Sequence, residues 1–160
     1  MQLSCLGESD MGMPDIRSLV PHAGPMVLLD RVISVDEDSL LAEVRIRSDS
    51  LFCSANGVDA WVGMEYMAQA IGAWAGYTAQ LRGEPVKIGF LLGTRRYECS
   101  RPIFVLGSVL RVHVQCVFQN EDGLGSFECS IDDEEGRVAT ATLTVFQPPN
   151  VNDFLQGSSE

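Results

Sequence analysis

One segment of the chain, residues 59–82, has the pattern of a long helix and constrains the fold more than any other part of the sequence. Small residues recur in it three, four or seven positions apart, so that one helical face can press closely against another element. These residues are Ala68, Gly72, Ala75, Gly76 and Ala79. Large apolar residues lie on the other sides, which indicates that the helix contacts more than the sheet alone. Gly83 and Pro85 are expected to end it.

Strand-like segments lie on both sides of this helix. They are residues 27–35, 40–47, 86–92, 109–118, 125–131 and 138–146, whereas 49–58 has the composition of a loop. Two strands, one helix and several further strands predict an α+β fold in which a curved antiparallel sheet wraps a long central helix. At 160 residues the chain fits one domain. We expect it to span residues 14–148, between a disordered lead over 1–13 and a disordered tail over 149–160.

Charge and cysteine content exclude some classes of function. A net charge of -11 argues against general affinity for nucleic acid, whose phosphates it would repel. The five cysteines are scattered and only two histidines are present, so we expect no metal site. No apolar run is long enough to cross a bilayer and no signal peptide is recognisable, which predicts a cytoplasmic protein without membrane contact.

A basic segment stands out against this acidic background. Residues 82–101 hold five basic and two acidic side chains, among them the neighbouring Arg95 and Arg96. Such a patch could dock an acidic or phosphorylated partner, or it could be a solvated strand end.

Glu65 places an ionisable carboxylate on the helical face that also carries Ala68, where the surroundings are expected to be buried. A buried, unpaired carboxylate is costly and shifts its pKa towards the neutral form, which is the condition that general acids and bases use. The alternative is a structural carboxylate held by backbone amides or by an arginine. Spacing does not decide between the two.

Three segments resemble, in kind and in order, the motifs of one protein family. They are Leu19-Val20-Pro21-His22 with Met26-Val27-Leu28-Leu29-Asp30-Arg31-Val32; Glu65-Tyr66-Met67-Ala68-Gln69-Ala70; and Phe90-Leu91-Leu92-Gly93 with Tyr97, Arg101-Pro102 and Gly107. They are similar to motifs of the 3-hydroxyacyl-acyl carrier protein dehydratases of the hotdog-fold superfamily. The loop over 51–59 is shorter than the family's and has no histidine, which resembles a divergent subgroup of predicted dehydratases from aryl polyene type or specialised lipid gene clusters.

The resemblance implies a hotdog fold and a substrate linked to the phosphopantetheine of acyl carrier protein. In such dehydratases a histidine and a helix carboxylate, contributed by different subunits, remove the α proton and protonate the leaving 3-hydroxyl. Glu65 matches that carboxylate. A homodimer or larger homo-oligomer is also implied, and no cofactor is expected.

The histidine that works with Glu65 must be one of two. His113 alternates with Val112 and Val114 on a strand and so points away from their face. His22 lies in a proline-rich loop, where a side chain can face a cleft, and we favour it as the second catalytic residue. The alternative is that His22 only fixes the loop.

Further residues are predicted to bind the substrate. Backbone amides at the start of the helix suit an enolate-like thioester oxygen, and the sequence places Asn56, Gly57 and Val58 there. Gln69 lies one turn after Glu65 and could orient the carboxylate or the carbonyl. Gly93 matches the family's strand glycine. Candidates for lining an acyl tunnel are Met64, Met67, Phe90 and Leu92.

The favoured function is therefore dehydration of a 3-hydroxyacyl group on acyl carrier protein, in fatty acid or aryl polyene type biosynthesis. One alternative is an acyl thioesterase, since a helix carboxylate can also activate water. Another is a non-catalytic partner that binds acyl carrier protein or completes a heterodimer.

Overall fold

The computed structural model describes residues 12–86 and 88–148, in which a long helix packs against a large antiparallel sheet. The strands are β1 (Arg31–Val35), β2 (Ser39–Arg45), β3 (Gly57–Asp59), β4 (Phe90–Cys99), β5 (Ile103–Val105), β6 (Val109–Gln119), β7 (Leu124–Asp133) and β8 (Gly136–Phe146). The helix is α1 (Gly63–Leu81), and 3-10 turns occupy Ile16–Ser18, Gly24–Met26 and Ala60–Val62. The predicted α+β architecture is confirmed.

Six strands form the main sheet in the order β1-β2-β6-β7-β8-β4, and each neighbouring pair is antiparallel. Strands β3 and β5 form a separate antiparallel pair beside the start of α1. Strand β4 is therefore an edge strand, and exposed apolar side chains such as Leu92 lie along it. An edge of this kind has backbone groups available for pairing with another chain.

Alternation along the central strands builds the core under α1. Val112 and Val114 of β6 are buried, as are Phe127 and Ile131 of β7. Cys129 lies between these β7 residues, and burial raises the pKa of its thiol to about 12, so it acts as a small apolar core residue.

The end of α1 follows the prediction. Gly83 adopts a left-handed φ of 69°, and its amide donates to the Gln80 carbonyl at 3.0 Å. The Glu84 amide donates to the Ala79 carbonyl at 2.9 Å, which completes a Schellman-type cap.

The start of α1 differs from the prediction, since the helix begins at Gly63 rather than near residue 59. Asp59 is held extended in β3 opposite Ile103, and the Ala60 amide donates to the Pro102 carbonyl at 2.9 Å. Because of this long-range pairing, a 3-10 turn follows Asp59 and the α-helix begins only after it. The pairing also turns the end of the predicted loop 49–58 into strand.

Strand β4 also differs from the prediction, which placed it at residues 86–92. It runs over Phe90–Cys99 because β8 supplies partners that far, with register shifts between Leu91 and Gly93 and between Arg95 and Glu98. Edge strands with bulges show weak alternation, so the local pattern does not mark their bounds.

The stripe of small residues on α1 serves two purposes. A side chain at Gly76 would clash with the Leu19 carbonyl oxygen, so this glycine lets the amino-terminal segment press against the helix. Around Gly72, by contrast, an added methyl group would meet nothing within 4 Å. Close packing was therefore predicted correctly at Gly76, whereas Gly72 borders a cavity.

Within the described residues, no helix is long and apolar enough to cross a membrane. The predicted lead lies outside the described residues over 1–11, and so does the predicted tail over 149–160. Met13, at the end of the predicted lead, packs against the core.

Candidate active site

Glu65 and His22 meet at a cavity between α1 and the sheet. Glu65 lies in the first turn of α1, and His22 lies in the loop between two 3-10 turns. His22 Nε2 is 3.7 Å from Glu65 Oε1, and both residues line a cavity of about 250 Å³. The distance is longer than a hydrogen bond, which leaves both groups able to contact a third group between them.

Gln69 ties the histidine loop to the helix. It is 1% exposed, its Oε1 accepts from the Leu28 amide at 2.9 Å, and its Nε2 donates to the Met26 carbonyl at 2.8 Å. The same Nε2 also approaches Glu65 Oε1 at 3.4 Å. One buried carboxamide thus holds the loop that carries His22 and orients the carboxylate that His22 faces.

The environment of Glu65 differs from the buried one expected from the sequence. The side chain of Glu65 is 44% exposed and that of His22 is 32% exposed. The helical face of Glu65 borders the cavity instead of packed side chains, which explains this access to solvent. The Nδ1 atom of His22 is buried without a hydrogen-bond partner among the described residues.

His113 is excluded from this site by its place in the sheet. Val112 and Val114 point into the core, and His113 lines a groove on the opposite face together with Arg96 and Glu128. Of the two histidines, His22 is the one that the fold brings to Glu65.

The predicted oxyanion residues lie elsewhere than at the start of α1. Gly57 and Val58 belong to β3 and pair with Val105 and Phe104, because this segment forms a strand before the 3-10 turn. The Gly57 amide donates to the Ser54 carbonyl at 3.3 Å, and the Asn56 carbonyl accepts from the Leu106 amide at 3.0 Å. Their placement at the helix N-terminus was therefore wrong, and a role in substrate binding stays a prediction.

The remaining predicted residues lie on or near strand β4. Gly93 is exposed at a register shift, and Arg95 and Arg96, further along the strand, are both exposed. Arg96 has a φ of 52°, a left-handed conformation that marks the second bulge. Lys87, from the same basic segment, lies outside the described residues.

The cavity has a different lining from the predicted acyl tunnel. Of the four tunnel candidates, Phe90 lines it, whereas Met67 is in the core and Leu92 is 59% exposed. Residues that the sequence did not single out complete the lining, among them Trp74, Gln119 and Gln147. Trp74 lies nine positions after Glu65, which is about two and a half helical turns, so helical spacing from Glu65 does not mark it as a lining residue.

Tyr97 fixes the start of α1 from the edge strand. Its hydroxyl donates to the Ala60 carbonyl and lies over Gly63, where a side chain would clash with that oxygen. Burial raises the pKa of Tyr97 above its ordinary value, so the hydroxyl keeps its proton as a donor. The turn that carries Glu65 is therefore anchored to β4.

Comparison with known proteins identifies the family. The family model described as ApeP-like, ApeP dehydratase, matches residues 14–156. The solved dehydratase heterocomplex ApeI:P from Xenorhabdus doucetiae contains a chain 33% identical to this one, with a TM-score of 0.85, over 92% of this chain and 99% of that chain.

More distant structures share the fold. A hypothetical thioesterase with coenzyme A from Streptococcus pneumoniae TIGR4 has 16% identity and a TM-score of 0.58, over 73% of this chain and 84% of that chain. The TT0310 protein from Thermus thermophilus has 16% identity and a TM-score of 0.58, over 78% of this chain and 98% of that chain. These matches and the observed topology confirm the hotdog architecture. The chain belongs to the ApeP-like dehydratase family.

Proposed function

We propose that this dehydratase removes water from 3-hydroxyacyl groups carried on the phosphopantetheine arm of acyl carrier protein, in biosynthesis of the aryl polyene type. The observation that carries the proposal is the approach of His22 Nε2 to Glu65 Oε1, at 3.7 Å within one chain. The family's loop histidine is missing from residues 51–59. His22 replaces that histidine in this proposal, and it lies in the loop that Gln69 holds against the helix.

In the proposed reaction His22 is the general base and Glu65 the general acid. His22 Nε2 takes the proton from C2 of the acyl group, the C3–O bond breaks, and the double bond forms between C2 and C3. Protonated Glu65 gives its proton to the leaving hydroxyl, so that one water departs and one proton passes to the histidine. The contacts of Glu65 with Gln69 and His22 both involve Oε1, which leaves Oε2 to face the hydroxyl.

The cavity suits an acyl chain. Its lining is mostly apolar, with Ile71 and Phe127 contributed by the helix and the sheet, and the small residues Ala68 and Gly72 make room along the helix. Apolar pockets with a few polar groups at one end are typical of small-molecule sites. The thioester would lie at the His22 end and the chain would run along α1.

The edge strand and the solved relative both support the proposal that this chain assembles with a second subunit. The relative's structure is a heterocomplex of ApeI and ApeP. In this chain β4 is an edge strand with Leu91 and Leu92 exposed at 45% and 59%, which favours pairing through this edge, in a homodimer or with a second dehydratase subunit.

The carrier protein is proposed to dock at Arg95 and Arg96, since both lie on this edge strand within the basic segment. Neutralising both with Arg95→Gln and Arg96→Gln should weaken carrier binding and reduce its salt dependence. Arg111→Gln, at an exposed arginine of β6, is the matched control. Equal binding by all variants at every salt concentration would remove these residues from the docking site.

The activity is tested by incubating the protein with a 3-hydroxyacyl carrier protein and measuring the mass of the carrier-bound product by mass spectrometry. Loss of one water supports dehydration, release of free acid indicates a thioesterase, and an unchanged mass indicates a silent partner. Glu65→Gln and His22→Gln should each abolish the loss of water, whereas His113→Gln should retain it. Full activity in either of the first two variants, with the fold intact by circular dichroism, contradicts the site.

A further inference from the structure

Gly72 is a glycine in the interior of α1 that the packing of the protein does not require. A glycine inside a helix lowers stability relative to alanine, so its presence needs a local reason. At Gly76 the reason is steric, because a side chain there would clash with the Leu19 carbonyl oxygen. At Gly72 an added methyl group would meet nothing within 4 Å, so close packing does not explain this glycine.

The open space beside Gly72 is the cavity that Glu65 borders. Gly72 lines this cavity together with Glu65 and Ala68 of the same helix. At about 100° per residue, the direction of Gly72 from the helix axis lies about 20° from that of Glu65 and about 40° from that of Ala68, in the sector between them. A side chain at position 72 would therefore enter the space that these two residues border.

Gly72 lies partway along the cavity and not at its far end. It follows Glu65 by seven positions, which corresponds to about 10.5 Å along the helix axis at 1.5 Å per residue. Ala75, further along α1, also lines the cavity, and a second cavity of about 70 Å³ shares Ala75 and continues to Arg82. A chain that starts at Glu65 and uses this further space must pass Gly72.

The sheet contributes another wall of the cavity, and this wall is apolar. Phe90 of β4, Phe127 of β7 and Val145 of β8 line it. Each methylene group that leaves water for such a surface strengthens binding by about fourfold. The length of chain that the cavity admits therefore decides how tightly a substrate can bind.

We propose that Gly72 is a specificity-determining residue for acyl chain length, because its missing side chain keeps the passage from Glu65 to Ala75 open. The inference rests on the proposed function, since it takes the acyl chain to run from His22 and Glu65 along α1. An extended chain advances roughly 1.2 Å per bond, so the carbon beside Gly72 lies about nine bonds past the carbon at Glu65. With C3 of the acyl group at Glu65, the carbon beside Gly72 is about C12.

The test fills the space at position 72 and measures chain length by binding. Gly72→Leu places a side chain in the passage, and leucine is a good helix former, so α1 is retained. Gln80→Leu is the matched control, because it adds the same side chain at an exposed position of α1 that lines neither of these two cavities. The probes are unreactive acyl pantetheine amides without a 3-hydroxyl, from about four to about sixteen carbons long, which brackets the depth of Gly72. Calorimetric titration gives their affinities.

The parent and Gln80→Leu should bind successively longer probes more tightly, up to and beyond the length that reaches Gly72. Gly72→Leu should bind the shortest probe as the parent does and the longest at least about tenfold more weakly, because the methylene groups past the leucine lose their apolar contacts. A helical side chain leans towards the start of its helix, so the break should fall between about eight and about twelve carbons. An equal loss at every length, no loss at any length, no binding by the parent, or the same break in Gln80→Leu would each overturn the inference.

Failure of the proposed function gives a different result. A protein that shows the Gly72-dependent break but removes no water from a 3-hydroxyacyl carrier protein contradicts the activity and retains the chain-length role. A protein that removes water but shows no break contradicts the chain-length role alone.

Discussion

The buried carboxamide of Gln69 provides the sharpest prediction about how the site is held together. Gln69→Met keeps the length and most of the volume of the side chain but removes its donor and its acceptor. The Leu28 amide then loses its partner at 2.9 Å, and the Met26 carbonyl loses its partner at 2.8 Å. The loop that carries His22 is tied less firmly to α1 as a result.

The magnitude follows from these two bonds. A buried polar group left without its partner costs about 1–3 kcal/mol, which applies in full to the Leu28 amide. The Met26 carbonyl costs less, because Met26 is exposed and water can reach it. We therefore expect the free energy of unfolding to fall by about 2–4 kcal/mol in total. Gln80→Met is the matched control on the same helix. Gln80 donates once, to the Ser18 carbonyl at 3.0 Å in an exposed hydrogen bond, so its loss should stay below about 1 kcal/mol.

Urea unfolding of the three proteins measures the difference, since a lower midpoint at unchanged slope reports stability. The Gln69→Met protein should also lose turnover when assayed well below its unfolding midpoint, because His22 is no longer held opposite Glu65. If Gln69→Met and Gln80→Met unfold at the same urea concentration, the proposed tie between loop and helix is wrong.

Two further predictions concern stability. Gly76→Ala should lower the free energy of unfolding by about 1–3 kcal/mol, because its methyl group meets the Leu19 carbonyl. Gly72→Ala should raise it by about 0.5–1 kcal/mol, because alanine has the higher helix propensity and its methyl group meets nothing. Thermal unfolding measures both changes, and equal shifts would contradict the packing described. The hydrogen bond from Arg31 lowers the pKa of Glu43 below its ordinary value of 4.5, so Glu43 contributes stability that is present above that pH and is lost as the pH falls through the lowered value. Glu43→Gln should thus be less stable than the parent at pH 7, by about 1–2 kcal/mol, and the gap should close in acid; a gap that is constant with pH would refute this.

The fold could be predicted from the sequence where local periodicity is strong. The helix, its stop at Gly83 and the central strands all carry such a signal. The pair β3 and β5 could not, because its three-residue strands are defined by one another rather than by their own composition. The bounds of β4 depend in the same way on β8, its partner.

The site was predictable in parts. Glu65 and Gln69 stand out because a carboxylate and a carboxamide share one face of an apolar helix. The position of His22 beside Glu65 depends on how a loop far away in the sequence folds back, and no local pattern encodes that. The half-exposed state of Glu65 was missed because helical spacing identifies a face but not the cavity that the face borders.

The central claim is that His22 and Glu65 of the same chain act together, and subunit mixing tests it most directly. Differently tagged His22→Gln and Glu65→Gln copies are co-expressed, any mixed oligomers are purified through both tags, and loss of water from a 3-hydroxyacyl carrier protein is measured. A pair within one chain predicts no recovery of activity, because every chain lacks one member. Restored activity in the mixed oligomer would show that the two residues act across subunits and would contradict the claim.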